Sequence, residues 1–235
     1  MIRSEAKLCG VRLIAFDLDG TLIDSSRDLV AAANAARERL GLGTLDDLTV
    51  LSYVGHGARN LMRMAIGAQA SDAEVERALA YFREYYARHL LDHTQPYPGV
   101  VEALDALRGR HLAVLTNKSL RFTVPILEGL GLARRFARIY GEDSFPQKKP
   151  DPMGLVSLMA EFGAEPREAL MVGDSEIDVQ TARNAGTWSC GVSYGLASQQ
   201  LAECPPDLMV ANLTELAKAL GEDRSKKPGS GSSGN

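Results

Sequence analysis

Cysteine is scarce in this chain. Three occur in 235 residues, Cys9, Cys190 and Cys204, and no two stand in CxxC spacing. A disulfide framework and a thiolate zinc site are therefore not expected, and the three read as free thiols of a reducing compartment. Long apolar runs are missing as well. Nowhere do ~18 uncharged apolar residues follow one another, so no membrane span is expected. The only early apolar run, Val11 to Phe16, is too short for a secretory core and stops at Asp17. A cytoplasmic location is the resulting expectation. No block of positive charge occurs either. Lys and Arg total 26 against 30 Asp and Glu, for a net charge of −4, which argues against nucleic acid or an anionic membrane as partner. An acidic protein that binds an anion needs local positive charge from a metal or a few placed cations.

What is present is a rhythm. Val11–Phe16, His111–Leu115, Ala169–Val172 and Ser189–Val192 read as short buried strands. Val100–Leu107, Thr123–Leu130, Pro152–Phe162 and Glu176–Ala185 read as helices between or after them. Alternation of this kind predicts an α/β fold, a Rossmann-like doubly wound parallel sheet with helices on both faces. The stretch from 24 to 95 breaks the rhythm. It carries helical patterns at Arg27–Leu40, Gly57–Ile66 and Asp72–His89 but no convincing strand. It reads as a helical cap inserted into a core made of residues 1–23 and 96–222, with both junctions acting as hinges. Residues 223–235 end in a Gly/Ser-rich run and read as a flexible tail.

Four segments carry candidate chemistry. Asp17-Leu18-Asp19-Gly20-Thr21 ends the first strand; strand period sends Asp17 and Asp19 to one side, and Gly20 permits a sharp turn. Two carboxylates so close stay ionised readily only beside a cation. Met171-Val172-Gly173-Asp174-Ser175 ends another strand, and Asp178 follows four residues after Asp174, on the same face of a helix. A simple N-cap with acidic first-turn residues is the alternative reading of that segment taken alone. Thr116-Asn117 ends a third strand, where a hydroxyl and backbone N–H groups suit a phosphate oxygen, although Thr-Asn is also a common turn. Lys148-Lys149-Pro150 supplies cations before a helix, and taken alone reads as two solvated lysines. Ends of parallel strands converge on one crevice, so these segments together hold the inventory of metal-assisted phosphoryl transfer.

In order and spacing the four segments resemble the haloacid dehalogenase superfamily. Thr116-Asn117-Lys118, Lys148-Lys149-Pro150-Asp151-Pro152 and Val54-Gly55-His56-Gly57 further resemble its bacterial phosphoglycolate phosphatases; Gly141-Glu142-Asp143 departs from the Gly-Gly-Asp of that group. The resemblance implies a phosphatase acting on a small phosphorylated metabolite, as a monomer or homodimer. It implies that Asp17 is the nucleophile and Asp19 the acid and base. Mg²⁺ is then held by Asp17, Asp174 and the Asp19 carbonyl, with Asp178 orienting that shell. Gly20, Thr21, Thr116, Asn117 and Lys149 then surround the phosphoryl group. From the cap, Gly55, His56, Gly57 and Arg59 are expected to meet the substrate, Arg59 by pairing with a carboxylate, unless Arg59 is solvated at the head of its helix. A phosphonate hydrolase of the superfamily needs a cap lysine, and none occurs between Asp24 and Gln95. A pyrophosphatase, a nucleotidase, a sugar phosphomutase and a non-catalytic binding module on the same fold remain alternatives.

Overall fold

A computed structural model of the chain describes residues 8 and 10–221. Cys9 and the 223–235 tail lie outside the described residues. Six strands form one parallel sheet in the order β5-β4-β1-β6-β7-β8: β1 Leu13–Phe16, β4 His111–Leu115, β5 Arg138–Tyr140, β6 Ala169–Gly173, β7 Trp188–Val192 and β8 Leu208–Val210. Period-two alternation explains how the sheet is sandwiched. Ile14, Phe16, Leu112, Val114, Leu170 and Val172 join one buried cluster. Their neighbours Leu13, Ala15, Ala113, Leu115, Ala169 and Met171 join a second on the opposite face. Among helices packed around the sheet are α5 Val100–Ala106, α6 Leu120–Gly129, α7 Met153–Phe162, α8 Glu176–Ala185 and α9 Leu213–Leu220.

Strand β1 is central, and connections run outward from it in both directions, through β4 to β5 and through β6 and β7 to β8. That reversal is a topological switch point, where ligands meet the carboxyl ends of strands. Phe16 pairs with Val114 on one side and Val172 on the other. Asp17, Thr116 and Asp174 therefore emerge at the same rim.

The expected α/β core with added helices is what the chain forms. Just past the rim, β2 Ile23–Asp24 pairs antiparallel with β3 Gln95–Pro96. Between them lie α1 Ser26–Arg39, α2 Asp47–Leu51, α3 Ala58–Ile66 and α4 Asp72–Tyr86. Ser71 and Glu74 close a capping box at the start of α4. Asp28 of α1 is buried and its Oδ2 accepts from His93 N, Thr94 N and Thr94 Oγ1, at 3.0, 2.8 and 2.7 Å. This ties the outgoing helix to the returning chain. The large buried cluster continues from the sheet into these helices through Leu29, Leu61, Phe82 and Tyr86. No helix among the described residues is long and apolar enough to cross a membrane.

Candidate active site

The segment after β1 leaves the sheet and turns at Gly20, whose φ of +78° suits glycine. A Cβ at Gly20 would also overlap the Asp174 carboxylate, and one at Gly195 would overlap both Asp174 and the Gly20 carbonyl. The glycines thus leave a cradle around Asp174, whose Oδ2 accepts from Ala197 N at 2.9 Å. Asp178 is set by the start of α8. Its Oδ2 accepts from Ser175 N at 3.1 Å and Ser175 Oγ at 2.6 Å in a capping box. Lys149 is buried and bridges two carboxylates, with Nζ 2.6 Å from Asp178 Oδ1 and 3.0 Å from Asp17 Oδ1. The contact to Asp17 is an ion pair rather than an aligned hydrogen bond.

Asp17, Asp174 and Asp178 each offer an oxygen, and these oxygens lie within 4.8 Å of one another. Three buried carboxylates against the one ammonium of Lys149 leave two negative charges uncompensated among these four side chains. Burial pushes the Asp17 carboxyl up to about 6 against the pull of Lys149, with Asp178 and Asp19 also raising it. Burial likewise pushes Asp174 up to about 8, with Asp178 and Asp17 adding to the rise. For Lys149, burial works against the charge, but Asp17 and Asp178 outweigh it and hold the ammonium above its ordinary range. An all-oxygen donor set with two surplus negative charges and glycine-made space fits a divalent hard cation. The cluster is able to coordinate one.

Asp19 takes a different environment. Its Oδ1 accepts from Ser25 Oγ at 2.5 Å and lies 2.9 Å from Lys118 Nζ. Asp17, Asp19, Thr116 and Asn117 line one cleft between the core and the cap helices. The opposite wall is largely apolar, from Leu29, Val54, Leu61 and Phe82. Thr116 is buried; its Oγ1 accepts from Lys118 N at 3.2 Å. Asn117 Nδ2 donates to the carbonyls of Gly55 and Lys149, both at 3.0 Å. Thr21 is buried away from the cleft. Its hydroxyl has no partner among the described residues, and its carbonyl accepts from Tyr194 Oη at 2.7 Å.

The cap residues divide. Gly55 and Gly57 line the cleft. A Cβ on Gly57 would stand 2.8 Å from Glu142 Oε2 and 2.9 Å from Lys148 Nζ, at a φ of +85°, so only glycine brings the loop this close. His56 contributes its carbonyl, which accepts from Lys148 Nζ at 2.6 Å, while its side chain is exposed. Arg59 corrects the sequence expectation. It does not line the cleft; its guanidinium pairs with Glu76 at 2.8 Å and Asp72 at 3.1 Å of α4. Helical period explains this. Ala58 and Leu61 of α3 face the cleft, and one residue beyond Ala58 the side chain has rotated by about 100°.

Among the cleft residues given no role by the sequence are Lys118, Arg83 and Tyr86. Lys118 was legible only as the last residue of the Thr116-Asn117-Lys118 segment. Arg83 and Tyr86 sit on α4, where Leu79, Phe82 and Tyr86 form the buried stripe. Of the divergent Gly141-Glu142-Asp143 segment, Glu142 lines the cleft, where burial raises its carboxyl above the usual range. Asp143 instead caps α6, accepting from Leu120 N at 2.9 Å and Ser119 Oγ at 2.8 Å.

The family model described as haloacid dehalogenase-like hydrolase matches residues 14–192. The phosphoglycolate phosphatase of Chromobacterium violaceum is 43% identical over 212 residues, covering 88% of this chain and 95% of its own. Phosphoglycolate phosphatase 1 of Pseudomonas aeruginosa is 42% identical over 214 residues, covering 87% and 78%. The crystal structure of a predicted phosphoglycolate phosphatase from Haemophilus somnus superposes with a TM-score of 0.84 at 31% identity, covering 90% of this chain and 99% of that one.

Proposed function

The chain belongs to the haloacid dehalogenase-like hydrolases, and on that premise we propose that it is a magnesium-dependent phosphomonoester hydrolase whose substrate is 2-phosphoglycolate. The observation that carries the reading is the division of two neighbouring carboxylates between two cations. Asp17 stands with Lys149 and the acidic cluster, and Asp19 stands with Lys118 in the cleft. One is equipped to attack phosphorus and the other to handle the leaving group's proton.

Asp17, Asp174 and the Asp19 carbonyl would hold Mg²⁺, with Asp178 behind them, and the bound cation would supply positive charge against the phosphoryl oxygens and the nucleophile. The chain's own residues do the rest. An Asp17 oxygen forms a bond to phosphorus as the bond to the substrate's bridging oxygen breaks, leaving an aspartyl phosphate. Asp19 gives its proton to the departing alkoxide, then takes one from the water that attacks the aspartyl phosphate, which releases inorganic phosphate, restores the Asp17 carboxylate and returns Asp19 to its protonated form. Thr116, the Asn117 N–H and Lys149 hold the phosphoryl oxygens and offset their charge. Residues 24–95 act as the closing cap over a core of 1–23 and 96–222, and the Gly55–Gly57 loop excludes water from the cleft.

Support for 2-phosphoglycolate comes from the two relatives that carry that activity in their names, and from a cleft whose cap wall is apolar and closely applied. A two-carbon acid lets such a cap shut, whereas a larger leaving group holds it open. The test is kcat/KM with and without Mg²⁺ for 2-phosphoglycolate, pyrophosphate, a hexose phosphate and a nucleoside monophosphate. 2-Phosphoglycolate is expected to lead, with turnover lost on chelation. A nucleotide or pyrophosphate at the head of the panel would overturn the substrate assignment, and Mg²⁺-independent turnover would overturn the mechanism.

A further inference from the structure

Something in the cleft must meet the charged end of an anionic leaving group, and most cations near it are already engaged. Lys149 is shared by Asp17 and Asp178. Arg59 is held by Asp72 and Glu76. Lys148 is exposed and donates to the His56 carbonyl. Arg83 also lines the cleft and its guanidinium makes no hydrogen bond or ion pair among the described residues, but it is only half-buried and shares the cleft with the opposite charge of Glu142. Lys118 differs from all of these. It is buried to 6% side-chain exposure and lines the cleft, and its charge is matched by one carboxylate, Asp19 at 2.9 Å. Its second contact is a neutral oxygen, Tyr86 Oη at 2.5 Å. An ammonium has three donors, and no third partner occurs among the described residues.

We infer that Lys118 selects the substrate, its ammonium receiving an anionic group carried one carbon from the bridging oxygen of the leaving alcohol. The inference rests on the phosphatase reading above and names the residue that sets its specificity. Its warrant is distance. A proton donor must stand roughly 2.6–3.2 Å from the oxygen it serves. Lys118 Nζ lies 2.9 Å from Asp19 Oδ1, which also accepts from Ser25 Oγ, so the other oxygen of that carboxylate is the one free to serve the leaving group. The ammonium is thus within about 8 Å of the bridging oxygen, counting one hydrogen bond on each side of the carboxylate. In a two-carbon phospho-acid the carboxylate oxygens lie roughly 3 Å from the bridging oxygen by ordinary bond lengths. They fall between the two groups, where one carboxylate meets the free N–H of Lys118. A neutral leaving group leaves that buried N–H without a partner, at a cost in affinity.

Tyr86 is the positioning residue. It is buried on cap helix α4, packs edge-on to Phe122 of the core with ring centroids 5.3 Å apart, and holds Lys118 through its hydroxyl. Burial pushes that phenol up to about 12, so it stays neutral and leaves the charge of Lys118 available. Because Tyr86 comes from the cap and Lys118 from the core, the cation takes this place when the two meet.

The experiment compares 2-phosphoglycolate with ethyl phosphate, which has the same carbon count and no carboxylate. Inhibition by glycolate and by inorganic phosphate is measured alongside, for wild type, Lys118→Met, Arg83→Met and Tyr86→Phe. Lys118→Met is expected to lower the ratio of kcat/KM for 2-phosphoglycolate over ethyl phosphate by roughly 10–100-fold, the effect of one charged hydrogen bond. Glycolate inhibition should weaken by a similar factor, and phosphate inhibition by much less. Tyr86→Phe should raise KM for 2-phosphoglycolate several-fold more than it changes kcat, and Arg83→Met should move the ratio less than Lys118→Met does. Equal losses on both substrates with glycolate inhibition intact would overturn the inference, leaving Lys118 as a partner of Asp19 alone. A ratio that collapses in Arg83→Met but not in Lys118→Met would overturn it too. If Lys118→Met fails to fold by circular dichroism, the Tyr86→Phe split between KM and kcat decides. Failure of the substrate assignment shows separately, in the wild-type panel, before any variant is read.

Discussion

Asp17 and Asp19 are two residues apart and chemically alike, so their different work comes from what surrounds them. Asp17 shares a buried charge cluster with Asp174, Asp178 and Lys149. Replacing it by Asn removes the nucleophile and a ligand of the cation. Asp17→Asn is expected to abolish hydrolysis and the transfer of phosphate label from substrate to protein. A labelled protein band in that variant would contradict the covalent step. Asp19 makes its side-chain contacts with Ser25 and Lys118, outside the acidic cluster. Asp19→Asn should therefore keep Mg²⁺ affinity while turnover falls by roughly 10²–10⁴, the share of a general acid and base. Asp174→Asn should instead weaken Mg²⁺ in titration calorimetry. Equal weakening in both variants would show that the two carboxylates are not divided as described.

At the scale of elements, the two short strands β2 and β3 carry the chain out to the cap and back, and they are too short to hold it alone. Asp28 supplies the rest, through three hydrogen bonds from His93 and Thr94. Asp28→Ala strands the backbone donor and hydroxyl of buried Thr94 and leaves the His93 N–H to solvent. It should cost roughly 2–4 kcal/mol in urea denaturation, since hydrogen bonds to a charged group are the strong ones. Limited proteolysis should cut first near residues 92–95. The helices of the cap were largely legible beforehand, because Arg27–Leu40, Gly57–Ile66 and Asp72–His89 show amphipathic period. Three of their ends moved inward, to Arg39, Ala58 and Tyr86, and one start moved outward to Ser26. Strands β5 and β8 were not legible. Each has three residues, with exposed or half-exposed side chains interrupting the pattern, and an edge strand so short offers no period to read. Helix α9 was missed despite its Asn212 cap, because its apolar residues follow directly on the loop after β8.

For the whole molecule, the acidic cluster makes stability depend on pH and on the cation together. Asp17 and Asp174 have folded-state values raised to about 6 and about 8, above the ordinary carboxyl value. The native state then holds more protons than the unfolded chain between about pH 4 and 8, so stability falls as pH rises through that window. Glu142 is raised and acts in the same direction. Lys149 is raised above its ordinary range and contributes stability that is fully present below it. It does not reverse the trend. The lowered carboxyls of Asp46, Asp72, Glu74, Asp143 and Glu161 are protonated only below their ordinary values, under the window. In chelator, the melting temperature should therefore drop from pH 5 to pH 8 by at least about 2–4 °C, the effect of roughly 1 kcal/mol in a chain of this size. Millimolar Mg²⁺ should remove most of that drop, because a cation replaces the protons. A melting temperature that rises across this range in chelator would mean the carboxylates are compensated by the protein itself.

By itself the sequence determined the parallel α/β core, the helical insertion and the four strand-end segments. These follow from local facts: apolar runs of strand length, helical period, and carboxylates where such runs stop. Parallel strands have to deliver their carboxyl ends to one rim, so Asp17, Thr116 and Asp174 were bound to meet. Only the tertiary structure decided which cations serve which carboxylates. Lys149 went to Asp17 and Asp178, Lys118 to Asp19, and Arg59 away from the cleft to Asp72 and Glu76. The reason is physical. A long charged side chain reaches partners in several directions from its backbone position, and which one it meets depends on how segments far apart in the chain pack: the strand-end loops of the core around Asp17 and Asp19, and α3 against α4 around Arg59. No local pattern encodes that packing.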